Sequence, residues 1–320
     1  MKIGITGVAG FIGSHLAQRL LEKGEEVIGV DNLSYGQLHN LSGFHPHPHF
    51  SFHALDILEE ASLERILAPA EILIHLAALK IPRYENALGT LKTNTQGSEN
   101  VLKIASKTKS KVLLASTSDV YGKSAQLPFE EEGDLVVGPP TVKRWAYAIS
   151  KMYEEQLAFA YAEQYHFPVV LLRFFGGYGP RQHLSWWGGP QAVFIGKALR
   201  LEPLPIHGNG QQTRTFIFIQ DLIDGILACI YKNESKDQVF NLGTEEEVSI
   251  EWLAKKIWSI VQPKEPPKLE YVPYTTFGKY EDVLRRKPSL EKAKTLLGFS
   301  PRIFLDEGLQ RTFEWQKHLN

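Results

Sequence analysis

The chain has 320 residues, of which 35 are lysine or arginine and 36 are aspartate or glutamate, so its formal net charge is −1. A chain of this length can bury a large core in one domain, or in two domains that share a cleft. The balanced charge predicts no general attraction to nucleic acid or to an anionic membrane. No apolar run approaches membrane-spanning length and the chain opens on a predicted strand, MKIGIT, so we expect a cytoplasmic protein.

Short apolar strands alternate with longer helical patterns in the first half of the chain. In order these are KIGIT and helical FIGSHLAQRLLEKG, EVIGV, FSFHAL, EILIHLAA and helical TLKTNTQGSENVLKIASK, KVLLAST and helical AYAISKMYEEQLAFAYAEQY, and PVVLLRFF. Parallel neighbours in a sheet need crossover connections, which helices supply. The order therefore predicts an α/β fold with a doubly wound parallel sheet.

The composition changes after Arg173, where GGYGPRQHLSWWGGPQ is rich in Gly, Pro and Trp. RTFIFIQDL and QVFNLG are predicted strands that return toward the sheet, and residues 245–320 are mainly helical. We predict a larger domain of residues 1–173 plus about 212–244, with a smaller, mostly helical domain of 174–211 plus 245–320. The smaller domain would close a ligand cleft at the carboxyl edge of the sheet.

Two further features are predicted to be structural. Cys229 is the only cysteine and lies in an apolar helical run, so we expect a buried thiol without a disulfide. The segment FHPHPHF places His45, His47 and His49 between prolines, which favours an extended loop. A metal site there is the alternative, and no metal is predicted.

A glycine-rich turn follows the first strand. In TGVAGFIG, Gly7, Gly10 and Gly13 allow a tight turn and a close approach of backbone N–H groups to a pyrophosphate at the start of a helix. Asp31 ends the second strand, where an acid accepts hydrogen bonds from a ribose 2′-hydroxyl and repels a 2′-phosphate, so NAD is favoured over NADP. The alternative is an ordinary turn with a loop-capping aspartate. Asp56, after the third strand, either contacts the adenine or caps the following helix.

Tyr147 and Lys151 are four residues apart in a helical pattern and therefore share one face. A tyrosine acts as a base near neutral pH only if its pKa falls by about three units from about 10, which requires about 4 kcal/mol. We expect the Lys151 ammonium and a positively charged nicotinamide to supply this shift, so that Tyr147 removes a hydroxyl proton as hydride leaves the same carbon. Thr117 could bond that hydroxyl. The alternative is an amphipathic helix with a packed tyrosine and a solvated lysine.

Several ordered motifs extend these patterns over nearly the whole chain. They are TGVAGFIG, DNLS, HLAA, TNTQGSENVL, STSDVYG, YAISK, RFFGGYGP, HGNGQQTRTFIFIQDL, FNLG and YEDVLRRKPSLEKAKTLLGFSP. Together they resemble the extended short-chain dehydrogenase/reductase family, which has a Rossmann fold. More narrowly, they resemble its NAD-dependent epimerase/dehydratase branch, which acts on nucleotide sugars.

The resemblance implies bound NAD, a substrate that is a UDP-linked sugar, and a homodimer that pairs the helices around residues 90–107 and 145–164. The implied catalytic residues are Thr117, Tyr147 and Lys151, with Asn94 in support, and Asp119 is a further candidate from its place two residues after Thr117. The implied NAD contacts, in addition to Tyr147 and Lys151, are Gly7, Gly10, Phe11, Ile12, Gly13, Asp31, Asn32, Asp56, Ile57, Leu76, Ala77, Ala78 and Lys80. The implied substrate contacts are Tyr84, Ser118, Arg181, Arg214 and the pair Arg285 and Arg286, one of which would bind the diphosphate with Arg214.

The resemblance also implies oxidation of the sugar C4 hydroxyl to a ketone, after which three reactions are open. Dehydratases carry an Asp-Glu pair where this chain has Ser118-Asp119, which argues against elimination of water. Decarboxylases carry Ser-Glu there and are similar in GPPTVKRWAY and at Tyr84, whereas ALKIPRYENAL, with Lys80, resembles epimerases. A non-catalytic dinucleotide sensor is a further alternative, but such relatives tend to lose the tyrosine or the lysine.

Asp119 is expected to orient the sugar near C5 and C6, the alternative being an aspartate that bonds only backbone amides. A carboxylate facing a hexuronate carboxylate is repelled unless an arginine intervenes, which favours a neutral hexose. We therefore predict a UDP-sugar 4-epimerase, with a UDP-glucuronate decarboxylase as the alternative. Gly176 replaces an asparagine that the family uses to contact substrate, and Trp186 or Trp187 is expected to stack on a base or sugar, or else to be a core or dimer residue.

Overall fold

The structure is a computed structural model that describes residues 1–80 and 86–319. Its strands, numbered along the chain, are β1 (Lys2–Thr6), β2 (Glu26–Asp31), β3 (Phe50–Ala54), β4 (Ile72–His75), β5 (Lys111–Thr117), β6 (Val169–Phe174), β7 (Leu204–His207), β8 (Thr213–Thr215), β9 (Gln238–Leu242), β10 (Glu247–Ser249) and β11 (Leu269–Val272). Seven of them form one parallel sheet in the order β3-β2-β1-β4-β5-β6-β9. The predicted doubly wound α/β fold is confirmed.

Helices cover both faces of the sheet. They are α1 (Phe11–Glu22), α2 (Glu60–Leu67), α3 (Ala87–Thr108), α4 (Trp145–Tyr165), α5 (Pro190–Leu199), α6 (Ile219–Tyr231), α7 (Ile250–Val261), α8 (Glu291–Leu297) and α9 (Leu305–Lys317). Because successive strand residues point to opposite faces, Ile72 and Ile74 join the core under α1 and α6, whereas Leu73 joins the core under α2, α3 and α4. Burial on both faces explains why these strands are almost continuously apolar.

The second half of the chain returns to the sheet once. QVFNLG forms β9 and pairs with β6, as predicted. The predicted strand RTFIFIQDL is shorter than expected: only Thr213–Thr215 is extended, and it pairs with β10 in a separate ribbon, while helix α6 begins at Ile219. A second small sheet joins β7 to β11. No helix among residues 1–80 and 86–319 is long and apolar enough to cross a membrane.

The ligand crevice follows from the strand order. From β1 the chain first adds β2 and β3 on one side, and then β4, β5 and β6 on the other. Connections to the two sides diverge between β1 and β4, which leaves an opening at the carboxyl ends of these strands. Gly7 follows β1 and Leu76 follows β4 at this opening.

Candidate active site

A cavity of about 600 Å³ extends from this opening toward the residues between β6 and β11. It brings together most of the residues predicted from the sequence. Those on its wall are Gly7, Gly10, Phe11, Ile12, Gly13, Asp31, Asn32, Ile57, Leu76, Ala77, Ala78, Lys80, Thr117, Ser118, Asp119, Tyr147, Lys151, Arg181, Arg214 and Arg286.

Three predicted site residues lie off the cavity wall. The Asp56 carboxylate accepts hydrogen bonds from the Leu58 N–H and the Asn32 amide, and helix α2 begins later, at Glu60, without a side-chain cap. Arg285 is exposed and paired with Glu247, which leaves Arg286 as the cavity arginine of that pair. Asn94 reaches the site only indirectly, by bonding the Leu79 backbone and Ser150, and Tyr84 lies outside the described residues.

The glycine turn fits a dinucleotide. Gly7 has φ +74, and a Cβ there would lie 2.9 Å from the Ala77 N, so only glycine allows β1 and the β4 loop to approach so closely. Helix α1 begins after Gly10 with no side-chain cap and no acidic residue in its first turn. Its N-terminal N–H groups are therefore suited to a phosphate on the cavity side.

Asp31 combines a structural role with a place on the wall. Its carboxylate accepts hydrogen bonds from the Ala9 N–H at 3.0 Å and the Leu33 N–H at 2.8 Å. Burial raises its pKa, and these two backbone donors oppose that rise. The donors fix the carboxylate at the end of β2, where the sequence predicted the ribose contact.

Thr117, Tyr147 and Lys151 lie together at the end of β5 and the start of α4. Tyr147 is hydrogen-bonded to Thr117, yet burial raises the pKa of the phenol, and the charges of Asp119 and Glu154 raise it further. The lowering predicted from the sequence rests on Lys151 together with a bound nicotinamide. In the protein alone the Lys151 Nζ lies 2.8 Å from Glu154 Oε2 and 2.9 Å from the Ala115 carbonyl oxygen, so a buried anion already balances its charge.

An arginine-rich cluster borders the tyrosine. Asp119 Oδ1 lies 2.6 Å from Arg286 Nη2 and 3.1 Å from Arg144 Nη2. Burial alone would raise the pKa of Asp119, but the two guanidinium groups outweigh it and lower the pKa to about 2. Asp282 pairs with Arg214 at 3.0 Å and with Arg144 at 3.6 Å. Three arginines thus face two aspartates, which leaves one positive charge available to an anionic ligand.

The pKa values of two cationic side chains on the cavity wall are lowered. Burial and the neighbouring Arg286 lower the pKa of Arg214 to about 10. Lys80 keeps accessible surface on the cavity wall, but the surrounding protein desolvates its ammonium and lowers its pKa to about 8. Groups whose cationic form is disfavoured in this way gain from an anion bound beside them.

Three residues of the site were missed by the sequence analysis: Arg144, Asp282 and Glu154. Arg144 could have been found, because it lies three residues before Tyr147 and hence near the same helix end. Glu154 lies three residues after Lys151, a helical spacing that indicates an ion pair but not its burial, and Asp282 carries no local signal.

The structure explains the departure at Gly176. Its φ is +56, and a Cβ there would lie 2.2 Å from the Thr215 carbonyl oxygen, so this backbone admits no side chain. Gly176 therefore contributes only backbone to the cavity wall.

The two tryptophans of the HLSWWGGPQ segment both lie on the cavity wall. The Trp187 ring lies 3.8 Å from that of Tyr35, centroid to centroid, at an angle of 31°. The Trp186 ring lies 4.5 Å from that of His207 and packs edge-on against Phe194. Trp187 therefore bridges the cavity to the loop after β2, and Trp186 rests against β7.

A tyrosine held by a threonine, beside a glycine turn that accepts a dinucleotide, is the arrangement of an enzyme in which a proton and a hydride leave one carbon. The chain belongs to the NAD dependent epimerase/dehydratase family, whose sequence model matches residues 3–243. It is an enzyme of this family, and its cofactor is NAD. The predicted family, enzyme class and cofactor are confirmed.

Similarity to known proteins extends over the whole chain. It is 34% identical to the UDP-N-acetyl-alpha-D-glucosaminuronate decarboxylase of Bacillus cytotoxicus, over 98% of this chain and 97% of the relative. It is 36% identical to UDP-glucuronic acid decarboxylase 4 of Arabidopsis thaliana, over 99% of this chain and 70% of the relative. Among solved structures, the UDP-glucuronic acid 4-epimerase from Bacillus cereus, in complex with UDP-glucuronic acid and NAD, matches with a TM-score of 0.90 and 29% identity, over 100% of both chains.

These relatives bear on the choice between the two predicted reactions. Modification of a nucleotide sugar is the activity common to them. Both sequence relatives are decarboxylases, which favours the alternative over the 4-epimerase that the sequence analysis placed first.

Proposed function

We propose that the protein decarboxylates a UDP-linked hexuronate through a transient 4-keto sugar. The observation that carries the proposal is the pairing of Asp119 with Arg144 and Arg286 beside Thr117 and Tyr147. The sequence analysis favoured a neutral hexose because an unshielded aspartate would repel a carboxylate. With two guanidinium groups on that aspartate, the objection no longer holds, and the surplus positive charge favours an acidic sugar.

The first step would remove hydrogen from the sugar C4. Bound at the Gly7 to Gly13 turn and Asp31, NAD supplies the hydride acceptor and a positively charged ring. Thr117 would hold the C4 hydroxyl, and Tyr147 would take its proton as hydride departs. Because the protein alone raises the pKa of Tyr147, ionisation of the phenol would depend on the filled site rather than on Lys151 by itself.

The second step would release the C6 carboxylate. A ketone at C4 makes this carboxylate β to a carbonyl, so the electron pair of the C5–C6 bond can move toward the C4 oxygen as carbon dioxide leaves. Tyr147, now protonated, would donate a hydrogen bond to the oxygen on which negative charge develops. C5 would then take up a proton, and return of the hydride to C4, with the Tyr147 proton going to the C4 oxygen, would restore the hydroxyl and the oxidised cofactor, so that the net change is the loss of carbon dioxide. Arg144 and Arg286 would place the carboxylate, and Asp119 would hold the two guanidinium groups in register.

The test is to incubate the purified protein separately with UDP-glucuronate, UDP-N-acetylglucosaminuronate and UDP-glucose, and to analyse the products by mass spectrometry and NMR. We expect one of the two hexuronates to lose the mass of carbon dioxide and UDP-glucose to be unchanged. Tyr147→Phe is the matched control, because it keeps the ring and removes only the hydroxyl. Conversion of UDP-glucose to its 4-epimer without loss of mass would refute the proposal.

Epimerisation of a hexuronate at C4 is the second candidate, favoured by the close structural match to the Bacillus cereus UDP-glucuronic acid 4-epimerase. It would use the same arginines and the same first step, but the carboxylate would survive. A new hexuronate signal of unchanged mass in the NMR experiment identifies this outcome.

The proposal includes the roles of the two domains and the homodimer that were predicted from the sequence. Residues 1–173 and about 212–244 would bind NAD, and residues 174–211 with 245–320 would bind the UDP-sugar. A homodimer through α3 and α4 is supported by apolar side chains exposed there, with Leu88, Ile149 and Tyr153 being 56%, 38% and 50% accessible. Sedimentation analysis of the native protein and of Tyr153→Glu tests the assembly, the variant being expected to shift toward monomer.

A further inference from the structure

A chain of buried polar side chains runs from the start of the cofactor turn to the catalytic lysine. Thr6 Oγ1 lies 2.7 Å from His75 Nδ1, and His75 Nε2 lies 3.0 Å from Ser98 Oγ. Ser98 donates to Glu154 Oε2 at 2.5 Å, and Lys151 donates to the same oxygen at 2.8 Å. Hydrogen bonds between buried polar side chains thus join four elements, β1, β4, α3 and α4.

Glu154 is the unusual member of this chain of contacts. It is 0% exposed, and its second oxygen, Oε1, is buried without a hydrogen-bond partner among the described residues. A buried carboxylate that is only half satisfied costs stability unless its charge serves a purpose. Its one charged hydrogen-bond donor is Lys151, three residues earlier on α4.

We propose that Glu154 is a positioning residue that fixes the Lys151 ammonium at the cavity wall and, through its buried charge, restrains the ionisation of Tyr147. The inference deepens the proposed function, on which it rests for the role of Tyr147. Burial of the phenol and the Asp119 carboxylate raise the pKa of Tyr147, and an unpaired Lys151 ammonium would oppose them. Glu154 balances the charge of Lys151 and weakens this opposition, so that ionisation of the phenol depends more on a filled site.

The charges around Tyr147 are consistent with this assignment. Glu154 belongs to α4, as Tyr147 does, and Asp119 and Arg286 act on the phenol from the cavity side. Burial raises the pKa of Tyr147, and the Asp119 and Glu154 carboxylates raise it further. Burial also raises the pKa of Glu154, while the Lys151 ammonium and the Ser98 hydroxyl lower it and favour the charged carboxylate. Beyond these groups, Glu155 acts on Glu154, and His75 lies beside Lys151 with its pKa lowered by burial to about 3, so it is neutral and adds no charge.

Replacing the charge of Glu154 separates this role from simple packing. Glu154→Gln keeps the shape and removes the charge, and Glu154→Met does the same without a polar head, so that one variant suffices if the other fails to fold. We expect the acidic limb of the kcat/KM profile, which reports Tyr147 ionisation, to move to lower pH by about one unit in either variant. Glu154→Asp keeps the charge but shortens the reach to Lys151. We expect Glu154→Asp to lower kcat while the acidic limb of the kcat/KM profile stays at the same pH.

A second readout does not depend on sugar turnover. With tyrosine labelled at the ring carbon that bears the hydroxyl, the signal of Tyr147, assigned by its loss in Tyr147→Phe, can be titrated by NMR in the protein saturated with NAD. We expect its midpoint to fall by about one pH unit in Glu154→Gln. An unmoved midpoint, with the variant folded, overturns the inference even if the protein decarboxylates a hexuronate. A shifted midpoint in a protein that acts on no UDP-hexuronate upholds it while refuting the proposed function.

Discussion

Asp119 and Arg286 form a 2.6 Å ion pair at the end of the cavity where Tyr147 lies. The pair places a carboxylate and a guanidinium side by side near Tyr147. A substrate carboxylate bound there would be repelled by Asp119 and attracted by Arg286. Arg144 is a second guanidinium on the same Asp119 oxygen, so attraction of the substrate carboxylate outweighs its repulsion.

Arg286→Lys tests recognition of the acidic sugar. Lysine keeps the charge but lacks the planar fork that binds Asp119 and a substrate carboxylate together. We expect kcat/KM for the accepted UDP-hexuronate to fall by about 10- to 100-fold, the loss of one charged hydrogen bond. Arg285→Lys is the matched control, because Arg285 is exposed on Glu247, and its kinetics should stay near those of the parent. Equal losses in both variants would contradict the assignment.

Asp31→Asn tests cofactor selection. The amide can keep one contact with the backbone donors Ala9 and Leu33, but it no longer accepts two ribose hydrogen bonds or repels a 2′-phosphate. We expect NAD affinity to fall by about tenfold or more and the ratio of NAD to NADP affinity to fall with it, as measured by calorimetry. Asp56→Asn, changed off the cavity wall, should bind both dinucleotides as the parent does. Weaker binding of NAD by the Asp56 variant would instead support the adenine contact named in the sequence analysis.

His15 should make folding sensitive to mild acid. Burial lowers its pKa from 6.5 to about 4, and its Nε2 lies 3.0 Å from the Pro180 carbonyl. Above pH 6.5 the imidazole is neutral in both states. Below 6.5 the unfolded chain binds a proton that the folded chain refuses until about pH 4, so the free energy of unfolding falls as pH falls through this window.

His15→Gln removes this proton linkage and keeps a donor for Pro180. Between about pH 7.5 and about pH 5.5, the parent should lose about 1 kcal/mol more stability than the variant in urea unfolding. His75, with its pKa lowered to about 3, contributes equally to both proteins and cancels in the comparison. Parallel pH dependences for the two proteins would show that His15 is not the group responsible.

Cys229 should not react with thiol reagents in the native protein. The side chain is 0% exposed, and burial raises the pKa of the thiol to about 12. A thiolate is the reactive species, so labelling should proceed only as fast as the protein opens. Labelling in denaturant supplies the control for reagent and thiol content. Rapid native labelling would mean that α6 opens far more readily than its packing indicates.

The sequence by itself determined the fold class, the dinucleotide turn, the acid at the end of β2, the tyrosine and lysine pair and the family. These features are local: a turn, a strand end and a helical repeat are each written within a few residues, and their order along the chain fixes the crossover connections. For Asp56 the local pattern allowed a helix cap, whereas its carboxylate accepts from the Leu58 N–H, ahead of helix α2.

Only the tertiary structure decided how charge is arranged around the tyrosine. Ser98 and Glu154 are 56 residues apart, and Arg286 reaches Asp119 from the far end of the chain, so no periodicity could pair them. The sequence predicted that Lys151 and a bound nicotinamide lower the pKa of Tyr147, and that Asp119 repels an acidic sugar unless an arginine intervenes. The folded structure adds a buried anion beside Lys151 and two cations beside Asp119. The sign of an electrostatic effect depends on distances in space, and those are fixed by packing.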